Sequence, residues 1–294
     1  MPYSSVRGVE HYYQWITQSQ LNASGEHYPT GKPILVFVHG WAGSARYWES
    51  TAIALTHEFD CLLYDLRGFG RTRLPKSPHR DLDYELHTYA DDLALLLDTL
   101  GINQITINAH STGASIAVLF LNRYPHRVNR AILTCNGIFP YDPKAFSAFH
   151  KFGGYVVKFR PHWLLSIPFV ERLFMARFLH QPIPLSQQRN FLEDFLMADD
   201  NAALGTIYTA VSQRAAETMP QEFTQISMPT LLVCGEYDQI IPTPMGQQAA
   251  NLNPNIQFQV LTKTGHFPML EDPETYLQLI DSFLSHQYQL GSNG

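Results

Sequence analysis

Ile105-Thr-Ile-Asn-Ala-His-Ser-Thr-Gly-Ala-Ser-Ile-Ala-Val-Leu-Phe120 reads as a short β-branched strand that turns abruptly into a helix of small residues, with Ser111 at the corner. A tight strand-to-helix turn lifts the corner side chain out of the sheet and aims the first N–H groups of the helix at whatever reacts there. Such a corner strains the backbone and brings helix and strand close, so the residues two before and two after it must be small. They are Ala109 and Gly113. Taken alone, the stretch also fits a serine that merely caps a helix.

Outward from this corner, the chain alternates strands and helices. Ile34-Leu-Val-Phe-Val38 is a continuous apolar run, as expected for a strand buried on both faces of a parallel sheet, and it ends at His39-Gly-Trp-Ala-Gly-Ser44. A helix and a strand, Cys61 to Asp65, follow, running into Leu66-Arg-Gly-Phe-Gly-Arg71. Residues 9–18 read as an opening strand, separated from the first buried run by a polar turn around Asn22 to Lys32. Leu82 to Leu100 carries Leu86, Tyr89, Ala90, Leu93, Leu96, Leu97 and Leu100 at helical spacing, and Gly101 stops it. The helix after Ser111 extends to Tyr124, and Ala131 to Cys135 is the next strand. From Gly137 to about Pro220 the pattern is helical without a buried strand, and strands resume at Pro229 to Cys234 and Ile256 to Val260. This rhythm implies an α/β fold with a mostly parallel sheet covered on both faces. The expected organisation is a core of residues 1–136 and 221–294, with residues 137–220 inserted as a helical cap.

A serine hydroxyl needs a base to remove its proton, and the base needs an acid to hold it. Of thirteen histidines, His266 stands out because it follows the last apolar strand, and loops after parallel strands gather at one edge of a sheet. The acid belongs on another such loop, where Cys234-Gly-Glu-Tyr-Asp-Gln-Ile-Ile-Pro242 offers Glu236 and Asp238. The N–H of Thr112, directly after the serine, is a candidate oxyanion donor.

Ala-His-Ser-Thr-Gly-Ala around Ser111 resembles the nucleophile elbow of the α/β-hydrolases, usually Gly-x-Ser-x-Gly-Gly; Ala109 and Ala114 are departures, each adding a methyl group. The resemblance extends to three further motifs in the family's order. His39 to Ser44 is similar to His-Gly-x-x-x-Ser, which implies Trp41 N–H as the second oxyanion donor. Asp65 to Gly70 is similar to Asp-x-Arg-Gly-x-Gly, read here as Asp65 and Arg67 forming a buried structural pair. Gly235 to Pro242 is similar to Gly-x-x-Asp-x-x-x-Pro, which selects Asp238 over Glu236. The resemblance thus implies a catalytic set of Ser111, Asp238 and His266 on an α/β-hydrolase fold. An Asp at position 111 would have pointed to epoxide or haloalkane chemistry.

Composition narrows the remaining classes. The 294 residues are 45% hydrophobic and 16% charged, with a formal net charge of -6, which argues against nucleic acid as a partner. Cys61, Cys135 and Cys234 are far apart in apolar runs, the pattern of free thiols in a reducing compartment and neither a zinc set nor a disulfide framework. No metal or cofactor is expected, since neither a Walker motif nor Gly-x-Gly-x-x-Gly occurs. The first residues lack the basic start and apolar core of a secretion signal, so a cytoplasmic location is expected.

Residues 141–180 contain ten aromatics in 40, or 25% against 13% for the chain. Phe159 and Trp163 are therefore expected to line the pocket together with Trp41, favouring a small hydrophobic substrate. The same run mixes Lys158, Arg160, Arg172 and Arg177 with large apolar residues, which suggests transient membrane contact through the cap. The functional expectation is a serine hydrolase cleaving a lipophilic carboxylic ester through an acyl-enzyme. Two alternatives are a carbon-carbon bond hydrolase, which would need converging arginines, and a ligand receptor of this fold with little turnover.

Overall fold

The computed structural model describes residues 3–19, 21, 25, 27–74 and 83–285. Its strands are β1 (Tyr3–Val6), β2 (Val9–Ile16), β3 (Ile34–Val38), β4 (Asp60–Tyr64), β5 (Ile105–His110), β6 (Val128–Thr134), β7 (Thr230–Gly235) and β8 (Ile256–Leu261). They form one sheet in the order β1-β2-β4-β3-β5-β6-β7-β8. The two β1 and β2 ladders are antiparallel, and every pairing from β4 to β8 is parallel. β1 was not apparent in the sequence; it folds back on β2 through Arg7-Gly8, both at positive φ (50° and 76°).

The helices are α1 (Glu49–Leu55), α2 (Leu86–Thr99), α3 (Thr112–Arg123), α4 (Pro143–Lys158), α5 (Val170–Met175), α6 (Leu185–Met197), α7 (Asp200–Ala210), α8 (Gln213–Gln225), α9 (Thr243–Ala250), α10 (Pro268–Glu271) and α11 (Pro273–Ser285). β4, β5 and β7 are buried along their whole length, as expected for strands covered on both faces. One core layer packs α2, α3 and α8 on Val36, Leu62, Ile107 and Leu133. The other packs α1 and α11 on Leu35, Phe37, Leu63 and Val233. Adjacent strand residues point to opposite layers, as the two-residue period requires.

α2 buries Leu86, Tyr89, Ala90, Leu93, Leu96 and Leu97, the stripe read from the sequence; Leu82, where that reading began, lies outside the described residues. The polar turn around Asn22 to Lys32 is only partly described. α4 to α8 intervene between β6 and β7, and α8 continues to Gln225 with Pro220 inside it. The fold is thus a mostly parallel sheet flanked by helices, with a helical insertion between core strands.

Asp65 and Arg67 are both fully buried, but they do not pair with each other. Arg71 makes a two-pronged bond to Asp65 (Nε 2.7 Å, Nη2 3.1 Å), while Arg67 Nε donates to Asp92 at 2.8 Å. The tight turn at Gly68 and Gly70, both at positive φ, brings Arg71 back over the acid and sends Arg67 toward α2. Asp65 also accepts from Ala45 N–H (2.8 Å), so this ion pair ties the loops after β3 and β4 together.

Candidate active site

The site is built where parallel strands end. Ser111 sits between β5 and α3 with φ 54° and ψ -123°. For a residue with a Cβ such angles cost on the order of 1–3 kcal/mol, so the surroundings must impose them. They do: Ser111 N–H donates to Thr134 O (2.9 Å), and Asn136 Nδ2 donates to Ser111 O (3.0 Å) and Ser115 Oγ (2.8 Å). A Cβ at Gly113 would lie 2.3 Å from His39 O, which explains why the second position after the serine has no side chain. The extra methyl groups at Ala109 and Ala114 are accommodated, both at 0% exposure.

His266 follows β8, and its Nε2 lies 3.0 Å from Ser111 Oγ. Its Nδ1 lies 2.7 Å from Asp238 Oδ2. A carboxylate can only accept, so Nδ1 carries the hydrogen and Nε2 presents its lone pair to the serine hydroxyl. Asp238 Oδ1 accepts from Ile240 N–H (2.7 Å) and Ile241 N–H (3.0 Å). Burial pushes the Asp238 carboxyl up, but His266 and these two N–H donors outweigh it and hold Asp238 below the usual carboxylate range. Glu236 is exposed and accepts from Lys263 N–H at 2.9 Å, away from the histidine. The two loops meet backbone to backbone: a Cβ at Gly235 would lie 1.9 Å from Gly265 O.

Thr112 is the first residue of α3 and directly follows Ser111, so its N–H has no partner within the helix. Trp41 lies in the loop that ends β3, beside Gly40, where a Cβ would stand 3.2 Å from Ser111 Cβ. The indole is half-buried; its Nε1 donates to Ala203 O (2.9 Å) and its ring lies 6.0 Å from Phe195, joining that loop to α6 and α7.

Phe159 and Trp163 depart from expectation: they are 71% and 56% exposed. α4 turns Gly153 and Val157 inward, with Gly153 against Ile207 of α7, and this rotation carries Phe159 to the outside. The inserted segment touches the histidine instead through Phe178, whose ring centroid is 6.2 Å from His266 and whose O accepts from His266 N–H (2.7 Å).

Two supporting residues went unnoticed in the sequence. His110 Nε2 donates to His266 O (2.7 Å), and its Nδ1 accepts from Tyr47 Oη (3.1 Å), which in turn accepts from Gly40 N–H. Burial and the neighbouring His266 push His110 well below the ordinary histidine value, keeping it neutral. Glu271 accepts from the N–H groups of Gly265, Phe267, His180 and Gln181 at 2.7 to 3.1 Å, clamping the histidine loop to the inserted segment. Position alone hinted at them, since His110 precedes the serine and Glu271 ends the short helix that follows His266.

A strained serine on a strand-to-helix corner, with a histidine and a buried carboxylate from later strands, defines an α/β hydrolase. Residues 33–273 match the profile of the α/β hydrolase fold family, and the chain belongs to it. The uncharacterized hydrolase YugF of Bacillus subtilis is 25% identical over 283 residues, covering 91% of this chain and 96% of YugF. Among solved structures, a thermophilic esterase from Thermogutta terrifontis superposes with a TM-score of 0.72 at 23% identity, covering 96% of each chain. The enol-lactonase from Burkholderia xenovorans LB400 gives 0.74 at 18% identity, covering 97% of this chain and all of its own.

Proposed function

We propose that this chain is a serine hydrolase that cleaves a carboxylic ester through an acyl-enzyme, with Ser111 as nucleophile, His266 as base and Asp238 as its acid. The observation that carries the reading is the continuous relay from Ser111 Oγ to His266 (3.0 Å) and from His266 to Asp238 (2.7 Å). As Oγ attacks the ester carbon, its proton moves to His266 Nε2, and Asp238 stabilises the imidazolium. The N–H groups of Thr112 and Trp41 would receive the oxyanion, a role worth roughly 3 kcal/mol per donor. The imidazolium then protonates the departing alkoxide, and water attacks the acyl-enzyme by the same route, releasing acid and restoring the serine.

One helical turn from the nucleophile, Ser115, Leu86, Phe139, Phe146, Ala215 and Met219 enclose a cavity of about 20 Å³, room for one water and too small for an acyl chain. The diacid-binding arginines that a carbon-carbon hydrolase would need are committed elsewhere. Arg160 binds Ala198 O and Asp200, Arg189 pairs with Glu193, and Arg172 and Arg177 are exposed. Names of fold relatives, among them an esterase and an enol-lactonase, agree with ester chemistry.

The test is labelling of the folded protein with a fluorophosphonate, with the adduct located by tandem mass spectrometry. A single adduct on Ser111 is expected, together with turnover of p-nitrophenyl esters. Labelling of another residue, or none, overturns the assignment; an adduct without turnover of any ester makes the chain a receptor of this fold.

A further inference from the structure

The aromatic residues that α4 does not use for packing occupy one side of it. Phe149, Phe152, Tyr155 and Phe159 are 46%, 66%, 65% and 71% exposed, and at 100° per residue they fall within one third of the helix circumference. Trp163 continues the series at 56% four residues later. Single exposed apolar residues need no explanation, but a row of large rings on one helix side does. The side that packs, through Gly153 and Val157, is a separate stripe about 120° round the helix.

The charges beside this row are of one sign. Lys144, Lys151 and Lys158 are exposed and recur every seven residues, so they form a line along the border of the aromatic side. Residues 143–170 contain four Lys or Arg and no Asp or Glu, in a chain whose net charge is -6. A basic line against an aromatic row, on a helix capped by Asp142 through Lys144 N–H and Ala145 N–H, is the pattern of a helix that lies in a membrane interface. No helix among the described residues is long and apolar enough to cross a membrane, so the contact is with a surface.

We propose that α4 and Trp163 form a docking surface for an anionic lipid bilayer, the rings entering the headgroup region and the lysines meeting lipid charge. Basic residues favour this over a second copy of the chain, because like-signed lines would face each other across a two-fold interface. The surface is independent of whether Ser111 cleaves esters, so its test needs no substrate.

The full chain is sedimented with phosphatidylcholine vesicles with and without about 30% phosphatidylserine, at about 0.1 M and then about 0.5 M salt. Binding is expected only to the anionic vesicles and is lost at the higher salt. Trp163 emission should shift to the blue on binding, and W163F should abolish that shift. The variant K144Q/K151Q/K158Q should partition about a hundredfold more weakly, at roughly fivefold per lysine. F152S/F159S should also lose about a hundredfold, at about tenfold per ring. All five side chains are exposed, so both variants should melt like the parent protein. No binding to anionic vesicles, or binding unchanged in both variants, overturns the proposal. So does self-association through Phe152 and Phe159 in sedimentation velocity without vesicle binding.

Discussion

Replacing Glu271 by Gln tests whether the histidine loop is held by charge. The carboxylate receives Gly265 N–H at both oxygens (3.0 and 2.9 Å) and Phe267 N–H at Oε1 (3.1 Å). Its Oε2 takes His180 N–H at 2.7 Å and Gln181 N–H at 2.8 Å. An amide has one accepting oxygen, and its NH2 group must face donors in either orientation. With the amide oxygen at the Oε2 position, Phe267 N–H loses its partner; turned over, His180 and Gln181 lose theirs. Each stranded donor costs about 1–3 kcal/mol when buried. Because Glu271 is only half-buried, water relieves part of this, and the expected loss is about 2 kcal/mol. For a chain of this size that lowers Tm by roughly 3 °C. Activity should fall further than stability implies, because Gly265 and Phe267 flank His266 and a shift of about 1 Å in a catalytic group can cost a hundredfold. The assay pairs a melting curve with the rate of fluorophosphonate labelling at a temperature where both proteins are folded. An unchanged Tm with an unchanged labelling rate would refute the clamp; a lower Tm with a normal rate would reduce it to a structural tie.

Asp238→Asn should lower kcat by about 10⁴ without changing the melting curve much, since an amide cannot stabilise the imidazolium; Glu236→Gln should behave like the parent, and a reversal would mean that Glu236 is the acid. His11 is 1% exposed with neither ring nitrogen partnered among the described residues, and burial together with Arg67 lowers it to about 4 from 6.5. A depressed histidine leaves the unfolded chain binding the extra proton first, so stability should decline as pH falls from about 6.5 to about 4, by roughly 3 kcal/mol in all. Urea midpoints across that range should slope less in His11→Leu, and an identical slope would discount the effect. Phe159→Ala should leave the preference among soluble esters of different chain length unchanged, because its ring is exposed; a flattened dependence on chain length would return the aromatic residues of α4 to the substrate pocket.

The corner at Ser111 and the chain order of the candidate site residues were legible from local sequence. Small residues at 109 and 113, an apolar run before Ser111 and a helix after it are consequences of local sterics, and the 2.3 Å approach of a Cβ at Gly113 to His39 O expresses the same constraint in space. Alternating strands and helices carried the parallel sheet, and a parallel sheet puts every loop after a strand on one edge, which brought Ser111, His266 and the loop of Glu236 and Asp238 together; the resemblance to the family motif singled out Asp238. Partner choice and facing were decided only in three dimensions. The sequence reading paired Asp65 with Arg67, whereas the turn at Gly68 and Gly70 gave Asp65 to Arg71. α4 carries rings on more than one side, so its pattern could not say which side meets α7; packing of Gly153 on Ile207 did, and it turned Phe159 away from the substrate. Glu271 and His110 act through backbone groups, which every residue possesses, and a side chain whose partner is an N–H or a carbonyl leaves no mark on the partner's identity.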